Sequence, residues 1–254
     1  MNLARQHFRK HQAKSAAEQA AEFGSMKNAT AYELQLMQLN NDRARLKQIQ
    51  STENKIKLKS ELLPNYAPYI DGILEAQSGV QDEILTEMMI WNIDTSNFSQ
   101  ALQIAEYVLV HNLSLPDRFE RTPACVITEE ISATFLKQLK TNVEIDIDVL
   151  KQLESLMTNP DLPQPTLDMP DQVKAKMYLA LGKAELRLIT DKDAPDPVHT
   201  KAALDYLQKA VELDDKCGGR GDLNLVQKLY DKFAPDTNLS TETETNKGDV
   251  TASS

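Results

Sequence analysis

The stretch DTSNFSQALQIAEYVLVHNL, residues 94–113, decides the fold class. Phe98, Ala101, Leu102, Ile104, Ala105, Val108 and Leu109 recur at three- and four-residue intervals, the spacing that puts apolar side chains on one face of an α-helix. Asp94, Thr95 and Ser96 precede them and read as helix-capping residues. Upstream, Tyr66, Tyr69, Ile70, Ile73 and Leu74 predict a short helix closing near Gly79. Ile84, Leu85, Met88, Met89 and Trp91 predict another closing near Asn92, with Met88, Met89 and Trp91 read as core rather than as a binding surface. Downstream, PDRFERTP (116–123) reads as a loop carrying Arg118 and Arg121. Thr128 reads as the N-cap of a helix holding Ile131, Phe135 and Leu139.

The same period extends toward both ends. Residues 3–23 predict one helix, broken at Gly24 and Ser25. A long helix is predicted from about Ala29 to Leu63, stopped by Pro64. Its heptad series (Tyr32, Leu39, Leu46, then Ile49, Ile56, Leu63) suits a helical hairpin or coiled-coil-like seam, with polar Asp42 and Glu53 interrupting it. After residue 170 the segments AKMYLALGKAELRL and AALDYLQKAVELDD form a helix pair resembling one tetratricopeptide repeat. Leu223, Val226, Leu229 and Phe233 lie on a helix that caps it. The fold class is therefore all-α. It divides into a basic N-terminal arm or helix (1–28), a central helical domain (29–140), a Pro-rich connecting segment (141–170), a TPR-like C-terminal helical domain (171–235) and a polar, disordered tail (236–254).

Composition narrows the function. Aromatic residues make up only 6% of the chain and glycines number 8, which is lean in strand and hairpin material. No run approaches the roughly 18 apolar residues of a membrane span, and MNLARQHFRKHQAK lacks the apolar region of a secretory signal. Cys125 and Cys217 stand far apart, which fits a reducing cytoplasm better than a disulfide framework. The net charge of −10 is unevenly spread. Residues 1–60 carry 11 Lys and Arg against 5 Asp and Glu, +6 net, and the remainder carries 17 against 33, −16 net. A basic end on an acidic body suits phosphate contact at that end. Arg5, Arg9, Lys10 and Lys14 are the expected DNA-binding residues, supported by Arg43, Arg45 and Lys47. They predict salt-sensitive affinity rather than base reading, because no helix-turn-helix pattern is present in residues 1–60.

Catalytic motifs were sought and no catalytic residue is assigned. The chain has no Gly-rich phosphate loop, no G-x-S-x-G elbow and no paired Cys-x-x-Cys, and no cofactor or metal is called for. TNVEIDIDVL (141–150) alternates in strand fashion and sets Glu144, Asp146 and Asp148 on one face. That face could hold Mg²⁺; otherwise it is solvated, or Asp146 and Asp148 begin a helix. Asp196 with Asp214, Asp215 and Lys216 makes a loose nuclease-like pattern with no strand to hold it. His7 and His11, four residues apart, lack a third metal ligand.

Several strings resemble the small terminase subunit family of temperate myophages. They are AYELQLMQLN (31–40), KSELLPNYAPYIDGILEAQSGVQDEILTEMMIWNIDTSNFSQALQIAEYVL (59–109), RTPACVITEEI (121–131), DMPDQVKAKMYLALG (168–182) and AALDYLQKAVELD (202–214). The spacing Leu-Leu-Pro-x₃-Pro-x₃-Gly-x-Leu, followed by Gln-Asp-x-Ile-Leu and Trp-x₂-Asp-Thr, carries the resemblance. It implies a protein that binds phage double-stranded DNA at the packaging site, forms rings or other homo-oligomers, and serves a large ATPase–nuclease subunit in the bacterial host cytoplasm. Family members are often labelled endonuclease subunits, a label the resemblance attaches to the holoenzyme's cutting reaction. Two other readings compete: a metal-dependent DNA endonuclease subunit, and a helical-repeat adaptor without DNA affinity. The resemblance implies a strongly basic C-terminal tail, whereas the tail here is polar and slightly acidic; if that tail binds DNA in relatives, the work here falls to the basic N-terminus or the DNA contact is weaker.

Overall fold

The computed structural model describes residues 3–23, 30–141 and 143–232, and every regular element among them is helical. The order is α1 Leu3–Phe23, α2 Thr30–Lys47, α3 Thr52–Leu62, a 3₁₀ turn Leu63–Asn65, α4 Ala67–Ala76, α5 Glu83–Asp94, α6 Phe98–Val110, α7 Pro123–Gln138, α8 Ile147–Met157, α9 Gln164–Leu167, α10 Asp171–Leu188, α11 Pro197–Leu213 and α12 Arg220–Tyr230. The predicted tail, 236–254, lies outside the described residues.

Helix α5 is the centre. Every residue from Ile84 to Ile93 is buried, as expected of a helix that is apolar nearly all round. Asp82 starts it: its carboxylate accepts from the backbone N–H groups of Ile84 (2.8 Å) and Leu85 (3.0 Å) and from the Tyr69 hydroxyl (2.6 Å). Met88, Met89 and Trp91 are core residues, as their spacing predicts, with Tyr66 edge-on to Trp91 at 5.9 Å. Helices α2, α3, α6 and α7 surround α5. Phe98 of α6 meets Phe135 of α7 at 5.2 Å.

One cluster of buried apolar side chains runs from Ala13 of α1 to Val226 of α12. Helix α8 contributes Val149, Leu150, Leu153 and Met157 to it. In the C-terminal part α10 and α11 lie antiparallel and close, because Gly182 has no side chain: a Cβ there would stand 2.6 Å from Leu207 Cγ. The buried carboxylate of Glu185 joins three helices, accepting from Lys151 of α8 (2.9 Å) and lying 2.7 Å from His199 Nδ1 of α11.

Four local expectations change. The predicted long helix from Ala29 to Leu63 is two helices, interrupted at residues 48–51. Ser51 caps α3 by accepting from the Asn54 N–H at 3.3 Å, a local bond that competes with helix continuation. Asp94, Thr95 and Ser96 finish α5 instead of capping α6. Thr95 bonds back to the Trp91 carbonyl and Ser96 takes the left-handed conformation (φ 60°), so α6 begins only at Phe98. Thr128 lies inside α7, which Thr122 caps and Pro123 opens at its first turn. The alternating 143–148 stretch forms no strand; Asp146 caps α8 through the Asp148 N–H at 3.0 Å, the helix-start alternative.

Candidate nucleic-acid interface

The basic residues of the N-terminal third lie on two surfaces with different foundations. The first is α1. Its inner face is Ala13, Ala16, Ala17 and Ala20, seated on α4. The approach is so tight that a Cβ at Gly72 of α4 would stand 2.4 Å from the Lys10 carbonyl oxygen and 2.9 Å from Ala13 Cβ. Packing of small residues therefore fixes α1, with Arg5 exposed and Arg9, Lys10 and Lys14 half-buried at the edge of the contact. Arg5 and Arg9 line a shallow groove of about 300 Å³ against Gln38 of α2 and Asn65 and Pro68 beside α4. Lys10 instead pairs with Glu75 of α4 at 2.6 Å. That contact raises the Lys10 pKa and lowers that of Glu75, which also feels Lys14.

The second surface is a groove of about 620 Å³ between the end of α2, α3, α5 and the loop at 116–118. Its floor holds the buried carboxylate of Glu87. Arg43 of α2 donates to Glu87 Oε2 at 2.5 Å, and Arg118 donates to Oε2 and Oε1 at 2.7 and 2.8 Å. The Trp91 indole N–H donates to Oε1 at 2.8 Å. Burial pushes the Glu87 carboxyl up, but the two guanidiniums outweigh it and hold the group below the usual carboxylate range. Arg43 also donates to Glu83 at 2.6 Å. Burial opposes its charge, and the hydrogen bonds it donates to Glu87 and Glu83 overcome that and raise its pKa. Lys59 pairs with Asp94 and stands over the Trp91 ring at 5.7 Å. Lys47 is exposed and Lys55 half-buried along the walls.

The seven expected DNA-binding residues thus divide. Arg5 and Arg9 share one groove, Lys14 lies beside Glu75, and Lys47 lines the other groove. Lys10 and Arg43 are committed to ion pairs, and Arg45 pairs with Asp42 (2.9 Å), a buried carboxylate that also accepts from the Tyr66 hydroxyl (2.8 Å). Sequence reasoning missed Glu87 and gave Arg118 no role. The available signal was a lone acid inside the apolar run EILTEMMIW (83–91), since a buried carboxylate requires cations nearby.

Of the acidic candidates, Asp146, Asp196 and Asp214 bond to backbone N–H groups at helix or turn starts. Asp196 caps α11 through Val198 and His199, and Asp214 accepts from the Lys216 N–H. Among the described residues no group of three or more His, Cys, Asp or Glu could hold a metal ion. His7 and His11 lie with ring centroids 5.9 Å apart. No helix among the described residues is long and apolar enough to cross a membrane.

The described residues form an all-helical body in which cations line two separate grooves. The phage small terminase subunit family matches over residues 36–165. The chain is also 33% identical over 221 residues to the "Terminase, endonuclease subunit" of Escherichia phage P2, an alignment covering 87% of this chain and 83% of that protein. No solved structure matches. The chain belongs to the phage small terminase subunit family, and its role lies in phage DNA packaging.

Proposed function

We propose that the protein binds phage double-stranded DNA at the packaging site and brings it to the large terminase subunit, acting as a homo-oligomer in the host cytoplasm. The observation that carries this reading is the set of cations on α1, Arg5 exposed and Arg9 and Lys14 half-buried beside its packed face. Arg5, Arg9 and Lys14 sit on a helix fixed to α4, in a chain whose residues beyond 60 are net negative. Leu3 and Phe8 of α1 and Leu34 and Met37 of α2 are strongly exposed apolar residues, which supports self-association of this end. The α10–α12 region, read as TPR-like, is the proposed docking part for the large subunit.

The test is binding of linear phage DNA across a salt series with Mg²⁺ present. Because α1 is packed on α4, removing charge is a cleaner change than removing the helix. The Arg5→Ala/Arg9→Ala/Lys14→Ala chain is expected to bind more weakly and with a shallower salt slope, DNA staying intact throughout. Equal binding by both chains would move the DNA site off α1. The name of the phage P2 relative favours a second reading, a metal-dependent endonuclease; DNA cut by the isolated chain in Mg²⁺ would establish it and sink the non-catalytic one.

A further inference from the structure

The break between α2 and α3 has a chemical result. Residues 43–59 hold six Lys and Arg against one acid, Glu53. On one continuous helix those cations would wind around the axis. With α2 ended at Lys47 and α3 begun at Thr52, Lys47 and Lys55 instead line the two walls of one groove, and Arg118 is delivered to the same groove from the loop before α7. Neither Lys47 nor Lys55 has an ion-pair partner among the described residues.

Arg118 is set differently from the lysines. Its guanidinium grips both oxygens of Glu87, and its side chain is still 47% exposed while that of Glu87 is 4% exposed. Glu87 is also held by Arg43 and Trp91, so its carboxylate cannot turn freely and it fixes the plane of the Arg118 fork. Two of the guanidinium's donors are used, and the rest remain for a ligand in the groove. Lys59 is excluded as a ligand by its pairing with Asp94.

We infer that this groove is a phosphodiester-binding site for duplex DNA, separate from α1. Lys47, Lys55 and Arg118 contact backbone phosphates, and Glu87 is the positioning residue that aims Arg118. The inference rests on the DNA-binding reading above and adds a second anchor to it. The ligand is read as a polyanion because Lys47 and Lys55, the two groove cations outside any ion pair, stand in a groove whose carboxylates are Glu83 and Glu87, both neutralised by Arg43 and Arg118, and Asp117. A fixed fork flanked by mobile point charges is also the arrangement that fits a phosphate's oxygens.

The experiment measures binding of a fluorescent random-sequence 30-base-pair duplex to the full chain by anisotropy, over a salt series, with a thermal melt of each variant. Lys47→Ala/Lys55→Ala, two changes outside any ion pair, is expected to reduce the slope of log K against log salt by about 2, near 0.9 per lost phosphate contact, with an unchanged melt. Arg118→Lys keeps the charge but loses the fork, and is expected to weaken binding several-fold more than a conserved charge would allow. Arg5→Ala/Arg9→Ala serves as the α1 control, its loss adding to that of the groove variant. Wild-type affinity and slope in the Lys47→Ala/Lys55→Ala chain would overturn the groove and leave the α1 reading intact. Unchanged DNA binding with weakened capture of the purified large terminase subunit would overturn it in favour of an acidic protein partner. Failure of the wild-type chain to bind duplex at any salt would overturn both this inference and the DNA-binding reading.

Discussion

The two basic surfaces carry the same kind of charge on opposite physical foundations. Helix α1 is held by alanines and a glycine, with Arg5 exposed and Arg9, Lys10 and Lys14 half-buried at the rim of that contact. In the groove, charge goes into the core: Glu87 is buried and two guanidiniums from distant parts of the chain converge on it. A cation on α1 is thus replaceable without structural loss, whereas the Arg43–Glu87–Arg118 cluster in the groove is part of the tertiary structure. The comparison predicts very different costs for similar substitutions.

The largest cost is expected at Glu87. Glu87→Ala leaves the Trp91 N–H and one of the two Arg43 donors without an acceptor, and removes the tie that joins the 116–118 loop to α5. Removing one member of a buried pair typically costs about 3–5 kcal/mol. The lower end applies here, since the half-exposed Arg118 can turn to water. Urea unfolding of the two chains measures it; a loss below about 1 kcal/mol, the range of exposed pairs, would erase the distinction between the two surfaces.

Next comes Gly72→Ala. The added methyl meets the Lys10 carbonyl and Ala13, both backbone-fixed, so α1 must lift from α4. Overpacking of this kind costs about 1–3 kcal/mol. The sharper readout is local: limited proteolysis is expected to cut within α1 in the variant before the rest of the chain unfolds. An α1 as protected as in the parent chain would show that small-residue packing is not what holds it.

The difference between the surfaces also sets what the sequence could reveal. Helix α1 was legible over residues 3–23 because its alanines and its charges are local facts; the expected break at Gly24 and Ser25 lies outside the described residues. The groove was not. Its chemistry depends on Arg43, Glu87 and Arg118 meeting across 44 and 31 residues of sequence, which no period reports. It also depends on the turn at 48–51, which contains neither Pro nor Gly and is set by the single Ser51 cap. The apolar period gave α5 and α6 as core helices correctly, yet it misplaced the boundary between them, because Asp94, Thr95 and Ser96 suit a helix end as well as a helix start. The same ambiguity made 143–148 look strand-like, where the Asp146 cap decided the outcome.

Acid provides a third, smaller contrast. The Glu87 pKa is lowered in the folded protein, so the unfolded chain binds the proton more readily. The stabilisation is complete above the unfolded value of about 4.3 and is lost as pH falls through the lower folded value. Urea midpoints taken from pH 6 to pH 3 are expected to fall more steeply in the parent chain than in Glu87→Gln, which has nothing to titrate there. Parallel curves would mean that Glu87 does not report on acid stability.

The smallest effect is expected at Lys10→Ala. The Lys10–Glu75 pair looks as good as any in the groove by distance, 2.6 Å, but both side chains are well exposed, at 35% and 49%. Water screens such a pair, and ordering two long side chains offsets most of its attraction. The seating of α1 rests on Ala13 and Gly72, which this change leaves alone. The melting midpoint should therefore stay within the scatter of replicate melts, at low and at high salt alike. A fall that appears at low salt and vanishes at high salt would show that the exposed pair helps hold α1 down. The cations of that helix would then be structural, and the two surfaces would differ in degree rather than in kind.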